Sequence, residues 1–557
     1  MTGAHARTMI PFGESLYAAF ARTARHHHDR PALIANGGKG ERLSYGEVLA
    51  NTRRVAAGMA SRKLTRPGLV GLISENRIEW PQVYLAILAA GATVVPIDAA
   101  ATPDEVARII DHAGLKTVFC SDRLGPIIEA ARPETRIISF DEKSSGSEWR
   151  KLLARSSSET LRQVNHTAAL IYTSGTTGNP KAVELTHANV LANLTQVRGA
   201  LAFTSDDVFL SLLPLHHTFE TTCGFLRPLT AGSRIVYARS LKSRDIVEDI
   251  RENRVTIVVG VPLLYEKMYQ SFQRRVSEQP TLKRAAFVAA LKLSAQGLRR
   301  GKRWGRGLFG RLRRDAGLDS IRMFISGGAP LAPRVARFFS LLGFDLLQGY
   351  GLTECSPVVS VNRPDDIRFD SVGPPLPGID VRIDCPEPNG IGEIVLRGAN
   401  NTPGYRGNPG QTAKLIRDGW LHTGDLGRIE QGHLYITGRA KNVIVSAAGK
   451  NVYPEEVEER VLDSPYVAEV VVFGRLRSRG SGETVRAILV PDREAIAAQH
   501  SLDVERTDLK LVTQLMSDAV EAANERLAPF KRITGFEVQL EELEKTSTRK
   551  IKRFVYQ

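Results

Sequence analysis

Cysteine is scarce in this chain. Cys120, Cys223, Cys355 and Cys385 are far apart and form no Cys-x-x-Cys pair. That spacing argues against a disulfide framework and a zinc cluster, and fits a reducing cytoplasm. Long apolar runs are missing too. Val83–Ile97 is one of the longer ones, is interrupted by Gly91 and Pro96, and is shorter than the about 20 residues of a membrane span. It reads as a buried helix ending near Gly91, followed by a buried strand. Met1 to Phe20 lacks the charged-then-apolar pattern of a signal peptide. There are no internal repeats and no long low-complexity linker; the scattered cysteines make a cytoplasmic location the expectation.

What is present is ordinary globular material. Hydrophobic residues make up 42% and charged residues 24% of 557, enough for a sizeable core and for about three or four domain-sized units. Lys and Arg number 75 against 60 Asp and Glu, a net charge of +15. Such a field favours anionic partners: nucleotides, coenzyme A, nucleic acid or an anionic membrane.

Short β-branched runs alternate with amphipathic stretches over the first 440 or so residues. Candidate strands include Leu69–Ile73, Thr93–Ile97, Thr117–Cys120, Ala168–Thr173, Arg234–Tyr237, Thr256–Val261 and Met323–Ser326, with helical stretches such as Pro103–Ala113 and Asp245–Asn253 between them. This alternation predicts an α/β fold of parallel sheets covered by helices. Val381–Leu396 turns strand-rich, which predicts a small β subdomain. Beyond Gly438 come strands Val467–Phe473, Val485–Val490 and Phe536–Leu540 with helices Pro454–Leu462 and Leu509–Leu527. The expected division is therefore a large domain over 1–438 and a small α+β domain over 439–557.

Ala169-Leu-Ile-Tyr-Thr-Ser-Gly-Thr-Thr-Gly-Asn-Pro-Lys181 is an apolar strand entering a loop of glycines and hydroxyls and ending on a lysine. Glycines let several backbone N–H groups converge on one anion, and hydroxyls and an ammonium group add to the cradle. It is not a GxxxxGK[ST] loop, because no Ser or Thr follows Lys181 and no helix is expected to start there. Met323-Phe-Ile-Ser-Gly-Gly-Ala-Pro-Leu331 is another strand entering a glycine turn. In Gln348-Gly-Tyr-Gly-Leu-Thr-Glu-Cys-Ser-Pro357, Tyr350 offers a stacking face and Glu354 a hard oxygen for Mg²⁺. Gly419-Trp-Leu-His-Thr-Gly-Asp-Leu-Gly427 places Asp425 on a turn, where a carboxylate can accept from two ribose hydroxyls.

The string Tyr172 to Lys181 resembles the signature of the adenylate-forming superfamily of acyl-CoA synthetases, luciferases and peptide-synthetase adenylation domains. The further motifs follow in family order over nearly the whole chain. The resemblance implies a large N-terminal domain and a small mobile C-terminal one, with ATP, Mg²⁺ and coenzyme A as reaction partners. It places Thr173, Ser174, Gly175, Thr176, Thr177, Gly178 and Lys181 around the phosphates and Gly328, Ala329 and Tyr350 at the adenine. It puts Thr353 on the α-phosphate, Glu354 and Thr173 on the metal, and Asp425 with Arg439 on the ribose. His217, in Leu213-Pro-Leu-His-His-Thr-Phe-Glu220, matches the family histidine near the acyl carboxylate, with His216 the lesser candidate. Lys550, in Lys545-Thr-Ser-Thr-Arg-Lys550, matches the catalytic lysine of adenylation, although Arg549 stands where the family has glycine. Lys441 matches the hinge, and Gly449 the pantetheine channel opened by rotation about it.

From Gln279 to Arg314 there is no Asp or Glu, yet eleven Lys or Arg occur, interleaved with Phe287, Leu291, Leu298, Trp304, Leu308 and Phe309. This pattern fits either a basic interfacial helix or an insertion whose apolar side packs on the body. An insertion here resembles the long-chain fatty acyl-CoA synthetase branch, so a fatty acid substrate and peripheral contact with the inner face of an anionic membrane are expected. Two alternatives stay open. One is an acyl-AMP ligase serving a carrier protein. The other is a basic nucleic-acid-binding protein or inactive homologue, although no nucleic-acid motif is present.

Overall fold

A strand covered on both faces cannot alternate polar and apolar residues, and Leu69–Ile73 and Thr93–Ile97 are buried at every position. In the computed structural model, which describes residues 14–66, 68–141, 148–153, 166–173, 181–446, 449–476, 482–500, 509–545 and 551–556, these two strands pair in parallel. They form the middle of a six-stranded sheet ordered Arg136–Ser139, Thr117–Cys120, Leu69–Ile73, Thr93–Ile97, Thr167–Thr173, Lys181–Thr186. An eight-stranded sheet runs Val358–Val361, Asp345–Gly351, Met323–Ser326, Ile257–Gly260, Val208–Ser211, Arg234–Tyr237, Pro31–Ile34, Arg42–Ser44. The interiors are parallel, as expected, but each sheet carries antiparallel edges: Lys181–Thr186 on one, Val358–Val361 and Arg42–Ser44 on the other. The sequence between each edge strand and the strand before it is shorter than the about a dozen residues that a parallel crossover needs, so the direction of these strands was not set by the βα alternation.

Local chemistry explains the boundaries. The helix Pro103–Ala113 starts on Thr102, whose hydroxyl accepts from the Glu105 N–H while the Glu105 side chain reaches back, a capping box. It stops at Gly114 in the left-handed region. Glu79–Ala89 is buried along nearly its whole length, with the strand Thr93–Ile97 following, as Val83–Ile97 implied.

The chain divides into two compact units, residues 1–380 with 397–421, and residues 381–396 with 422–557. The strand-rich stretch 381–396 thus goes with the C-terminal unit. That unit has its own core, in which Val457, Val461, Val470, Val472, Leu489, Met516 and Val520 meet. Its strands Val467–Leu476, Glu483–Pro491 and Gly535–Val538 pair in that order.

The segment 279–314 is helical, with Thr281–Arg299 its longest element. Its aromatic residues do not face outward as an interfacial reading requires. Phe309 is 4% exposed and packs on Phe287, and both join the core of the eight-stranded sheet. Trp304 lies against Gly297 and under Arg300. Part of the basic charge is structural: Arg303 and Arg306 pair with Asp345, and Arg313 caps the Gly343 and Ile321 carbonyls. The exposed apolar residues here are Leu282, Val288, Leu293 and Leu308. Among the described residues, no helix is long and apolar enough to cross a membrane.

Candidate active site

In parallel sheets, ligands collect at the carboxyl ends of the strands, and the loops singled out in the sequence leave those ends. Thr167–Thr173 and Lys181–Thr186 form a hairpin in which Thr173 and Lys181 are paired. Its connection holds Ser174, Gly175, Thr176, Thr177 and Gly178, which lie outside the described residues. Lys181 therefore begins a strand rather than a helix.

The Lys181 ammonium donates to Gln411 Oε1 at 3.2 Å and sits 5.3 Å from the centroid of the Tyr405 ring. The Tyr405 hydroxyl donates to Glu354 Oε1 at 2.8 Å. One aromatic side chain thus ties the lysine closing the phosphate loop to the carboxylate expected to hold the metal. Tyr405 is placed by backbone pairing: it bridges Val183, the Glu184 N–H donates to the Gly404 carbonyl, and Arg406 donates to Ala182. The Glu354 carbonyl accepts from Thr402 N–H at 2.8 Å. Tyr405 and Gln411 were not singled out in the sequence, since neither belongs to a string that looks chemical by itself. The one available signal was the string Pro403-Gly404-Tyr405, 46 residues beyond the Glu354 motif.

Thr353 lies with its hydroxyl 3.4 Å from that of Thr218, so the Glu354 motif and the histidine motif meet. Phe219, one residue on, packs against Gly327, where a Cβ would come within 2.9 Å of the ring. Gly328 follows with φ +85°, and Ala329 beside it is half-buried. Tyr350 is half-buried on the strand Asp345–Gly351, opposite Ser360. The structure thus places Thr173, Lys181 and Tyr350 at strand ends, and His217, Gly328, Ala329, Thr353 and Glu354 in the segments that follow strands. The Glu354 carboxylate and the threonine hydroxyls are a hard-oxygen donor set, which suits Mg²⁺.

His217 sits in the turn before the helix Glu220–Leu226, its ring 3.9 Å from that of His216. His216 faces Asp98, Nε2 to Oδ2 3.4 Å. Glu220, in the same motif, is fully buried; the Ser211 hydroxyl donates to its Oε1 at 2.6 Å. Burial pushes its carboxyl up to about 8, the Ser211 hydrogen bond opposing.

In the C-terminal unit, Asp425 and Arg439 are paired across a hairpin, Nε to Oδ1 2.7 Å. The Thr423 hydroxyl accepts from the Asp425 N–H, and Arg439 donates to the Thr423 carbonyl. Hairpin register, invisible in the Gly-Asp turn alone, makes them a unit. Gly449 has φ +68°, and its N–H donates to Ser446. A Cβ there would meet nothing within 4 Å.

Lys550 lies outside the described residues, but both flanks of its segment are held. Lys545 and Ile551 form an antiparallel bridge, and Lys552 N–H donates to the Glu544 carbonyl at 2.8 Å. Lys545 pairs with Glu469, and Arg553 pairs with Glu458 while donating to the Val472 carbonyl. Burial pushes the Glu458 carboxyl up to about 7, with Arg553 opposing.

Residues 20–406 match the model of the AMP-binding enzyme family, and residues 441–556 that of the AMP-binding enzyme C-terminal domain. The chain is 31% identical over 468 residues to the peroxisomal long chain acyl-CoA synthetase 6 of Arabidopsis thaliana, covering 78% of this chain and 66% of that protein. It is 30% identical over 488 residues to the human long-chain-fatty-acid–CoA ligase ACSBG2, covering 80% and 72%. Among solved structures it resembles ATP-bound MatB from Rhodopseudomonas palustris, with TM-score 0.77, 27% identity and 98% of both chains covered. The chain belongs to the AMP-binding, adenylate-forming enzyme family and is related within it to the long-chain acyl-CoA ligases.

Proposed function

We propose that this protein is an ATP-dependent, AMP-forming acyl-CoA synthetase whose substrate is a long-chain fatty acid. One observation carries the reading: Lys181, Tyr405 and Glu354 are coupled beside Thr353 and the histidine turn, at the strand ends where the phosphate loop emerges. The relatives' names and the ATP-bound neighbour support the substrates.

The chemistry has two steps. A carboxylate oxygen of the acid attacks the α-phosphorus of ATP, the bond to the β-phosphate bridging oxygen breaks, and pyrophosphate leaves. The thiol sulfur of coenzyme A then attacks the acyl carbon, losing its proton, and AMP leaves with the electrons of the acyl–oxygen bond. The first step brings two anions together, so it depends on positioning and charge stabilisation rather than on a general base. The acid is already ionised near neutral pH. Lys181 and the loop 174–178 hold the phosphates, Thr353 the α-phosphate, and His217 the acid. Glu354 and Thr173 would hold Mg²⁺, which would supply neutralisation of the phosphate charge. Asp425, oriented by Arg439, accepts from the ribose hydroxyls. Lys550 stabilises the charge that builds between the reacting oxygens.

The two steps use two orientations of a C-terminal domain over 439–557, exchanged by rotation about Lys441. Gly449 faces the pantetheine in the second. The exposed basic residues of 279–314 bring the enzyme to anionic membrane from the cytoplasm. The deciding assay supplies fatty acids of graded length with ATP, with coenzyme A or a phosphopantetheinyl carrier protein, and reads AMP and thioester. Coenzyme A-dependent AMP release that rises with chain length is expected; thioester only on the carrier protein overturns the assignment.

A further inference from the structure

Outside the nucleotide chemistry, the histidine turn holds a second arrangement of ligand atoms. Asp98 follows the strand Thr93–Ile97 of one sheet, while His216 and His217 follow Val208–Ser211 of the other. One carboxylate oxygen and one nitrogen from each ring all lie within 4.8 Å of one another. His216 is 9% exposed, and its Nε2 has no hydrogen-bond partner among the described residues. It stands 3.4 Å from Asp98 Oδ2, in ion-pair range but not aligned as a hydrogen bond. Leaving such a nitrogen buried and unmet is costly.

The spacing suits something placed between them. Zinc bonds to nitrogen and oxygen of about 2.0–2.1 Å in a tetrahedron require ligand atoms about 3.4 Å apart, which is the Asp98–His216 separation. The turn is also held before any ligand arrives. Asn76 donates to the Leu213 carbonyl at 2.6 Å and accepts from Leu215 N–H at 3.1 Å. Thr221 donates to the Leu215 carbonyl at 2.6 Å. The Asp98 Oδ1 accepts from Ala100 N–H, and its Oδ2 faces His216.

We propose that Asp98, His216 and His217 form a binding site for a borderline divalent cation of the zinc class, and that its occupation inhibits acid activation by immobilising His217. Two imidazoles and one carboxylate suit Zn²⁺ or Co²⁺ and disfavour Mg²⁺, which takes oxygen ligands. Three protein ligands leave a fourth position for water. The ligands of this site therefore differ from the oxygen donors expected to hold Mg²⁺ at Glu354. Cation binding stands independently of the enzymatic reading; the inhibition rests on the placement of His217 at the acid.

The test uses the full chain, stripped with a chelator and titrated with Zn²⁺ against a chromophoric competitor, and with Co²⁺ followed by its visible absorption. Expected is one Zn²⁺ bound more tightly than any other, unaffected by millimolar Mg²⁺, with the intense Co²⁺ bands of four-coordination. Asp98→Asn and His217→Asn should each weaken it by more than the roughly 10–100-fold that outer-shell changes cost. His216→Asn should do the same, with circular dichroism confirming its fold. Equal Zn²⁺ affinity in Asp98→Asn, His217→Asn and wild type, or a pale octahedral Co²⁺ spectrum, overturns the site. Zn²⁺ should also inhibit pyrophosphate release, less so as fatty acid rises. Tight binding without inhibition overturns the link to His217 and leaves the site standing.

Discussion

The Tyr405 hydroxyl donates to Glu354 Oε1 at 2.8 Å while the Tyr405 ring lies 5.3 Å from the Lys181 ammonium. A residue outside every recognisable motif thus orients two residues inside them. Tyr405→Phe keeps the ring and removes the hydrogen bond. A hydrogen bond to a charged group contributes about 1.5–3 kcal/mol, so pyrophosphate release should fall roughly 10–100-fold, with the larger part recovered at high Mg²⁺. Glu354→Ala should lose most activity at any Mg²⁺ concentration. Wild-type Mg²⁺ dependence in Tyr405→Phe refutes the orienting role.

Asp425 and Arg439 face each other across a hairpin, so they should act as a pair in nucleotide binding. Asp425→Ala should raise the KM for ATP with a smaller effect on kcat, and Arg439→Ala should do so less strongly. The double variant should be no worse than Asp425→Ala alone, because paired residues are non-additive. Strictly additive losses in steady-state kinetics count against the pairing.

The half-reactions should come apart. Lys550→Ala should abolish acyl-AMP formation yet convert supplied acyl-AMP to acyl-CoA. Gly449→Leu should do the reverse. A side chain at 449 meets no atom within 4 Å, but the backbone there has φ +68°, which a leucine adopts only with strain. Gly449→Asn, which tolerates that conformation, should be milder than leucine. Lys441→Pro should trap one orientation by restricting the hinge dihedral. Single-turnover assays of each half-reaction read these effects, and equal damage to both in Lys550→Ala and Gly449→Leu rules out rotation.

Much of this fold could be read along the chain, because its signals are local. Pro103–Ala113 carries its cap at Thr102 and its stop at Gly114, and Leu69–Ile73 is apolar throughout because both faces are covered. The motif strings likewise keep their chemistry in consecutive residues. What escaped is what depends on distant pairing. Tyr405 reaches Glu354 only because its backbone bridges Val183. Asp98 meets His216 only where two sheets bring their strand ends together. Phe309 fitted a membrane-facing and a body-packing side alike, because periodicity reports a face, and only packing says what covers that face.

The segment 279–314 should still meet anionic membranes, but through charge more than through aromatic insertion. Lys283, Arg284, Lys292, Arg299, Arg300 and Lys302 are exposed, and Leu282 is 82% exposed. Each basic residue near an anionic surface contributes about 1 kcal/mol, weakened by salt. Replacing Arg299, Arg300, Lys302 and Lys292 by glutamine should weaken liposome sedimentation while leaving turnover on detergent-dispersed fatty acid intact. Trp304→Ala should change sedimentation little. Absence of wild-type binding to anionic liposomes at low salt makes the segment a structural insertion alone.

Glu220 makes stability depend on pH with a definite sign. Its carboxyl is 1% exposed and pushed up to about 8, against 4.5 for an unperturbed glutamate. The folded chain therefore holds a proton that the unfolded chain releases. The favourable contribution is fully present below about pH 4.5 and is lost as pH rises through 8. Between those values the slope approaches about 1.4 kcal/mol per pH unit from this group alone. Glu220→Gln keeps an acceptor for Ser211 and removes the titration, so its thermal midpoint should change less than wild type between pH 5.5 and 8.5. The two midpoints should be closest at the acid end, where wild-type Glu220 is also neutral, and should diverge toward pH 8.5 with the variant higher. Parallel curves across that range would mean that Glu220 is not protonated in the fold, and that its carboxylate is stabilised by groups other than Ser211.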